Sequence, residues 1–180
     1  MIRLYFAVSL DGFIADEAGN VGWLDAFAEN DFGFTTFLAS IETLVMGRTT
    51  YDQARSFEYW PYDGKRIIVL TSRALEPLPE DVGLATGGPE GLAALLPSLG
   101  AGDVWIMGGA RAMGAFLDLG IVDRIDLFIM PVMLGRGIPM FRRDGGTDPG
   151  WQLEHSHAFP SGVVHLAYLA SEPLAAERAD

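Results

Sequence analysis

The sequence predicts an α/β domain with a central, mostly parallel sheet, flanking helices and antiparallel strands at its C-terminal edge. Three observations carry this. Short apolar runs alternate with helical patterns through the first two-thirds of the chain, the rhythm of β-α crossovers. The last third changes to period-two alternation on either side of Pro160-Ser161-Gly162, the pattern of a hairpin. The 180 residues are 49% hydrophobic and 20% charged, which suits one domain with a substantial core over residues 1–172 and a frayed tail at 173–180.

Residues 2–10 (IRLYFAVSL) read as the first strand, closed by the turn pair Asp11-Gly12. Residues 13–29 contain Gly19, Asn20 and Gly22 and read as a long loop. Phe34, Phe37 and Leu38 are helically spaced within 31–40, with Asp31 as the cap. A short apolar strand at 43–47 (TLVMG) leads into a helix from about Thr49 or Thr50. The β-branched run 66–71 (RIIVLT) is expected to be buried on both faces, and 82–86 to be a further short strand. Pro89 opens a helix whose Leu92, Leu95, Leu96 and Leu99 form one apolar stripe. A strand at 103–107 (DVWIM) is followed by a helix at 110–119, with Met113, Phe116 and Leu117 on one side. Residues 123–131 form a longer strand, and 151–159 with 163–170 form the hairpin.

Charge and composition exclude several functions. Twelve basic residues stand against 24 acidic ones, a net charge of −12, so a phosphodiester backbone would be repelled and nucleic acid is not expected as a partner. No apolar run approaches the ~20 residues of a membrane helix, and the N-terminus lacks a signal peptide's apolar centre. The expectation is a cytoplasmic protein acting on a small molecule. The absence of cysteine removes disulfides and thiolate chemistry. Eleven of the twelve cations are arginines, which suit bidentate contacts to phosphate.

Three strand-to-helix junctions share one character: Met46-Gly47-Arg48-Thr49-Thr50, Leu70-Thr71-Ser72-Arg73 and Met107-Gly108-Gly109-Ala110-Arg111. Each combines a strand end with small or hydroxyl residues and an arginine. The carboxyl ends of parallel strands lie on one edge, helix N-termini attract anions, and glycine lets a ligand approach the backbone. Any one junction alone is accounted for by a sharp turn with Thr49, Thr50 or Ser72 as a cap. Three on one edge could hold a ligand with several phosphates, such as a dinucleotide. Neither G-x-G-x-x-G nor a Walker loop occurs. His155 and His157 share a strand face, and His165 falls opposite His157 if the hairpin centres on Ser161. No carboxylate cluster or motif supports a zinc site there, and no metal is expected.

Taken in order, Ala7 to Ala15 (AVSLDGFIA), Val45 to Tyr51 (VMGRTTY), Leu70 to Arg73 and Ile106 to Ala110 (IMGGA) resemble the dihydrofolate reductase-like superfamily. The similarity is closest to the reductase domain of bacterial riboflavin biosynthesis, joined by Val122 to Ile125 and Met130 to Phe141, and it spans about residues 2–170. It implies NADPH as hydride donor and a cis peptide bond at the glycine pair. Ala7 and Ile14 would border the nicotinamide. Gly47, Arg48, Thr49 and Thr50 would hold the central phosphates. Thr71, Ser72 and Arg73 would lie at the adenosine end, Ser72 and Arg73 on its 2′-phosphate. Gly108, Gly109, Ala110, Arg111, Ala112 and Met113 would form the second phosphate cradle.

By spacing to the Gly-Arg pair, Asp31 occupies about the position of the dihydrofolate reductase proton donor, with Asp11 as second candidate; the alternative readings are a helix cap for Asp31 and an Asp-Gly turn for Asp11. Trp23, Phe27 and Phe34 could wall a substrate pocket or belong to the core. Met107 stands where riboflavin-pathway reductases usually carry a substrate-touching glutamate. The resemblance implies reduction of a ribosylamino or other small heterocyclic substrate, with pteridine reduction and a non-catalytic NADPH-binding module as alternatives. It also implies a homodimer.

Overall fold

In the computed structural model, residues 1–57, 59–75, 79–80, 82–86, 91, 94–145 and 150–172 are described. An eight-stranded sheet runs in the order β5-β4-β3-β6-β1-β7-β10-β9. The strands are β1 Ile2–Ser9, β3 Ile41–Gly47, β4 Arg66–Leu70, β5 Val82–Ala85, β6 Asp103–Gly108, β7 Arg124–Met130, β9 Gly150–Ala158 and β10 Val164–Ser171. The first six in spatial order are mutually parallel, while β10 runs antiparallel to β7 and β9 antiparallel to β10. The predicted architecture and the C-terminal hairpin are both present, and His165 lies opposite His157.

Each central strand sends alternate side chains to opposite faces. Leu4, Val45, Ile68 and Ile106 pack on one face with Met113, Phe116 and Leu117 of helix α3, Ala110–Asp118. Leu44, Met46, Ile67, Val69 and Trp105 pack on the other with Phe37 of α1, Phe34–Ser40, and Tyr51 of α2, Arg48–Arg55. The expectation that β4 is buried on both faces holds: Ile67, Ile68 and Val69 are at most 2% exposed. The helix expected from Pro89 lies partly outside the described residues. Of its stripe, Leu95 and Leu99 reach the α3-side core. The tail at 173–180 also lies outside them.

Two segments differ from expectation. Residues 13–29 are not one long loop: β2, Phe13–Ala15, pairs with β8, Ile138–Pro139, and Gly22–Phe27 is a 3-10 helix. A three-residue strand whose partner is over a hundred residues away has no local periodicity to betray it. Helix α1 begins at Phe34, and its N-cap is Gly33 at φ +86° rather than Asp31. Asp31 instead reaches forward from outside the helix. Its Oδ1 accepts from the Thr35 amide (3.0 Å) and hydroxyl (2.7 Å), and its Oδ2 from the Gly33 amide (3.1 Å).

Among the described residues no helix is long and apolar enough to cross a membrane. None of their histidines and carboxylates form a group of three able to hold a metal. His165 Nε2 lies 3.1 Å from Asp126, and its ring stacks on Phe128 at 4.4 Å.

Candidate functional site

β5, β4, β3, β6 and β1 are parallel neighbours, so their carboxyl ends form one rim. Four interstrand steps make that rim roughly 19 Å long. A cleft of about 820 Å³ follows it, from Tyr5, Phe6 and Ala7 on β1 to Leu70, Thr71, Ala85 and Thr86 beyond β4 and β5.

At its middle the starts of α2 and α3 meet. A Cβ built on Gly47 would stand 3.6 Å from Gly108 O, and one on Gly109 would stand 3.5 Å from Thr50 Oγ1. The Gly108-Gly109 peptide is cis, as the resemblance implies. The N-caps of the two helices are Gly47 and Gly109, and neither helix has a side-chain cap. Thr49 and Thr50 therefore do not cap α2; both line the cleft. Two sets of first-turn N–H groups and two positive dipole ends converge without a side chain to satisfy them. That arrangement suits an anion.

Among the described residues three arginines line the cleft: Arg48, Arg111 and Arg142. Arg48 Nε donates to both oxygens of Asp52 (2.9 and 2.8 Å), and its Nη1 donates to Ala74 O (2.9 Å), which stretches it from α2 to the segment after β4. Arg142 belongs to a strap, residues 141–144, laid across α3. The Arg142 amide donates to Ala110 O (3.2 Å). Asp118 accepts from Arg143 Nε (2.7 Å) and from the Asp144 amide (2.9 Å). The approach is possible because α3 carries glycine at 114, where a Cβ would come 1.9 Å from Arg142 O. Gln53 Nε2 donates to Gly19 O (3.0 Å), tying α2 to the segment after β2.

The structure brings most of the cofactor residues expected from sequence to this one cleft. Ala7, Ile14, Gly47 to Thr50, Thr71, Ser72 and Gly109 to Met113 all line it. Gly108 and Arg73 do not: Gly108 is the buried last residue of β6, and Arg73 is exposed, its amide donating to Thr71 Oγ1 (3.0 Å) within a local turn. The two candidate acids are also elsewhere. Asp31 is bound to the start of α1. Asp11 accepts from the Ser9 hydroxyl (2.6 Å) and the Leu134 and Gly135 amides (3.1 and 2.6 Å), fastening the β1–β2 turn to residues 134–135. The Thr35 hydroxyl, then its amide, hold the Asp31 pKa below the usual carboxylate range. The Ser9 hydroxyl, then the two amides, do so for Asp11.

Met107 lines the cleft beside β1, whereas Trp23, Phe27 and Phe34 do not. Trp23 and Phe27 pack with Phe128, Met130 and Val163. Phe34 packs on Tyr5 (6.0 Å) and Trp105 (5.9 Å). Sequence reasoning missed Tyr5, Arg142 and Asp144. Tyr5 looks like any inward residue of an alternating strand, and the strap has no motif. The only signal was Gly114 inside an otherwise apolar helix, an oddity that implies a close neighbour.

A parallel five-strand rim on which the uncapped starts of two helices meet defines a dihydrofolate reductase-like domain. The dihydrofolate reductase of Enterococcus faecalis, solved with NADP(H) and RAB-propyl, shares the fold with a TM-score of 0.64 at 18% identity, over 96% of this chain and 97% of that one. The chain belongs to the RibD C-terminal domain family, whose model matches residues 1–165. It is 36% identical over 140 residues to YwjB of Bacillus subtilis (strain 168), covering 77% of this chain and 80% of that protein. It also resembles the crystal structure of a protein from Shewanella sp. PV-4, provisionally named for riboflavin biosynthesis, with a TM-score of 0.82 and 29% identity over 95% and 99% of the two chains.

Proposed function

We propose that the protein is an NADPH-dependent reductase of a small heterocyclic or ribosylamino substrate, resembling 5-amino-6-(5-phosphoribosylamino)uracil reductase. The convergence of the uncapped starts of α2 and α3 on one cleft carries this reading, because it offers a diphosphate two helix termini at once. The family and the fold's occurrence in a reductase crystallised with NADP(H) support the same cofactor here. When bound, the dihydronicotinamide supplies a hydride to a C=N or C=O carbon of the substrate. The chain's own work is positioning. Gly47, Thr49, Thr50 and Gly109 to Met113 hold the diphosphate, Ala7 and Ile14 border the nicotinamide, and Thr71 and Ser72 flank the adenosine end.

The guanidinium assigned to the 2′-phosphate is that of Arg48, not Arg73, because only Arg48 both lines the cleft and reaches the segment after β4. Arg48→Ala is expected to weaken NADPH binding by roughly 10- to 100-fold, the worth of one or two charge-assisted hydrogen bonds, with little change for NADH. Arg73→Ala should leave the preference intact. The reverse pattern, read by calorimetric titration, would return the role to Arg73.

NADPH oxidation across oxidised pteridines and ribosylaminopyrimidines tests the activity. Binding that is never followed by oxidation would favour a non-catalytic module. Asp31→Asn separates support of α1 from proton donation. It is expected to lower the unfolding temperature at neutral pH and to leave the pH profile of turnover unmoved; a displaced profile would restore Asp31 to the chemistry.

A further inference from the structure

The charges in the cleft are all at one part of it, and this bears on what the other part accepts. Among the described lining residues, only Arg48, Arg111, Arg142 and Asp144 carry charge. The first two are at the starts of α2 and α3, and the other two are on the strap bonded to α3. The β1 end is walled by Tyr5, Ala7, Ile14, Val21, Leu24 and Met107, none of them charged. The nearby Arg3 is locked beneath Tyr5's neighbour Phe37 (4.8 Å to the ring) and ion-paired with Asp103 and Asp126 (3.2 Å each). Arg136 is exposed and does not line the cleft.

Tyr5 is the one protic side chain in that wall, and it is held rigidly. Its ring stacks on Phe37 at 4.0 Å and 16°, meets Trp105 edge-on at 6.3 Å and touches Phe128 at 4.7 Å. Its hydroxyl makes one long hydrogen bond, 3.4 Å to Phe32 O. Burial first, then the charges of Asp126 and Asp31, push its pKa far up, so it stays an O–H donor.

Resting on the reductase reading above, we propose that the β1 end of the cleft accepts an uncharged planar heterocycle, seated in the apolar wall formed with Met107 and the fixed Tyr5 ring, and not a phosphorylated or carboxylated substrate. A phosphate there would lose water without gaining a cation, in a protein of net charge −12. A flat ring with hydrogen-bond acceptors loses little, since its faces meet aliphatic and aromatic carbon and its edge can take the Tyr5 proton in exchange for the long bond to Phe32 O.

The test pairs ligands that differ only in charge: a ribosylaminopyrimidine and its 5′-phosphate, and a pterin and its 6-carboxylate. Equilibrium binding is measured by calorimetry on the full chain without cofactor, and kcat/KM is measured with NADPH. Each neutral member is expected to win by about 10-fold or more in both assays, as one desolvated charge requires. Met107→Lys should narrow or invert the preference, and Arg136→Ala should leave it unchanged. Equal or better binding of the charged members overturns the proposal, and so does failure of every neutral ligand to bind. The cofactor reading fails separately, on loss of NADPH binding while the neutral ligands still bind.

Discussion

Truncating Asp126 to alanine is expected to cost about 1.5–3 kcal/mol of folding stability, because the half-buried Arg3 and Arg124 each lose one of two carboxylate partners. Asp126 is 3% exposed and sits on β7 at the hub of four strands. It accepts from Arg124 (2.8 and 3.1 Å) and Arg3 (3.2 Å) and faces His165 on β10 (3.1 Å); Arg3 also bonds Asp103 on β6 (3.2 Å). Burial alone would raise its pKa. The hydrogen bonds from His165 and Arg124, the charge of Arg124 and the bond from Arg3 outweigh burial and hold it at about 2. The sign follows from linkage. The folded pKa is below the unfolded value of 3.8, so the stabilisation is complete above about pH 4 and is lost as pH falls towards 2. Urea unfolding at neutral pH reads the mutational loss. The acid limb of the wild type should flatten in Asp126→Asn, and an unchanged limb would sink the assignment.

Gly114→Val is expected to cost about 1–3 kcal/mol or more and to weaken cofactor binding, although residue 114 lines no part of the cleft. The first added carbon meets backbone at 1.9 Å (Arg142 O) and 2.7 Å (Arg142 C), which no rotamer relieves. The strap must therefore lift, taking Arg142 and Asp144 away from the cleft. Asp118→Ala releases the same strap without a clash, by removing the acceptor for Arg143 and for the Asp144 amide. The two variants should share the loss of NADPH affinity in titration while differing in unfolding temperature. Undiminished affinity in both would show that the strap does not contribute to the cofactor site.

The legible parts of the fold were those whose information is local. The runs around Ile67 to Val69 and Leu44 to Met46 state their burial directly, and the alternation from Trp151 to Ala170 states a hairpin whose register places His165 against His157. The glycine junctions were legible as a set, because parallel strands must deliver their carboxyl ends to one edge. Whether Thr49 and Thr50 cap α2 or leave it open was not legible, since that depends on the angle at which the chain enters the helix. The same holds for Asp31. Its spacing fits a proton donor and a cap alike, and only the left-handed turn at Phe32 and Gly33 directs its carboxylate to the Thr35 and Gly33 amides.

By itself the sequence determined the class of architecture, the order of its elements and the candidates for a phosphate cradle, because hydrophobic period, turn residues and helix starts are properties of neighbours along the chain. The tertiary structure decided which candidates share a site. Arg48 and not Arg73 faces the cleft, Tyr5 and Met107 wall its uncharged end, and the strap at 141–144 supplies a third arginine. These are contacts between residues tens to more than a hundred positions apart. They are set by how strands and helices pack around the core, and sequence spacing does not encode them.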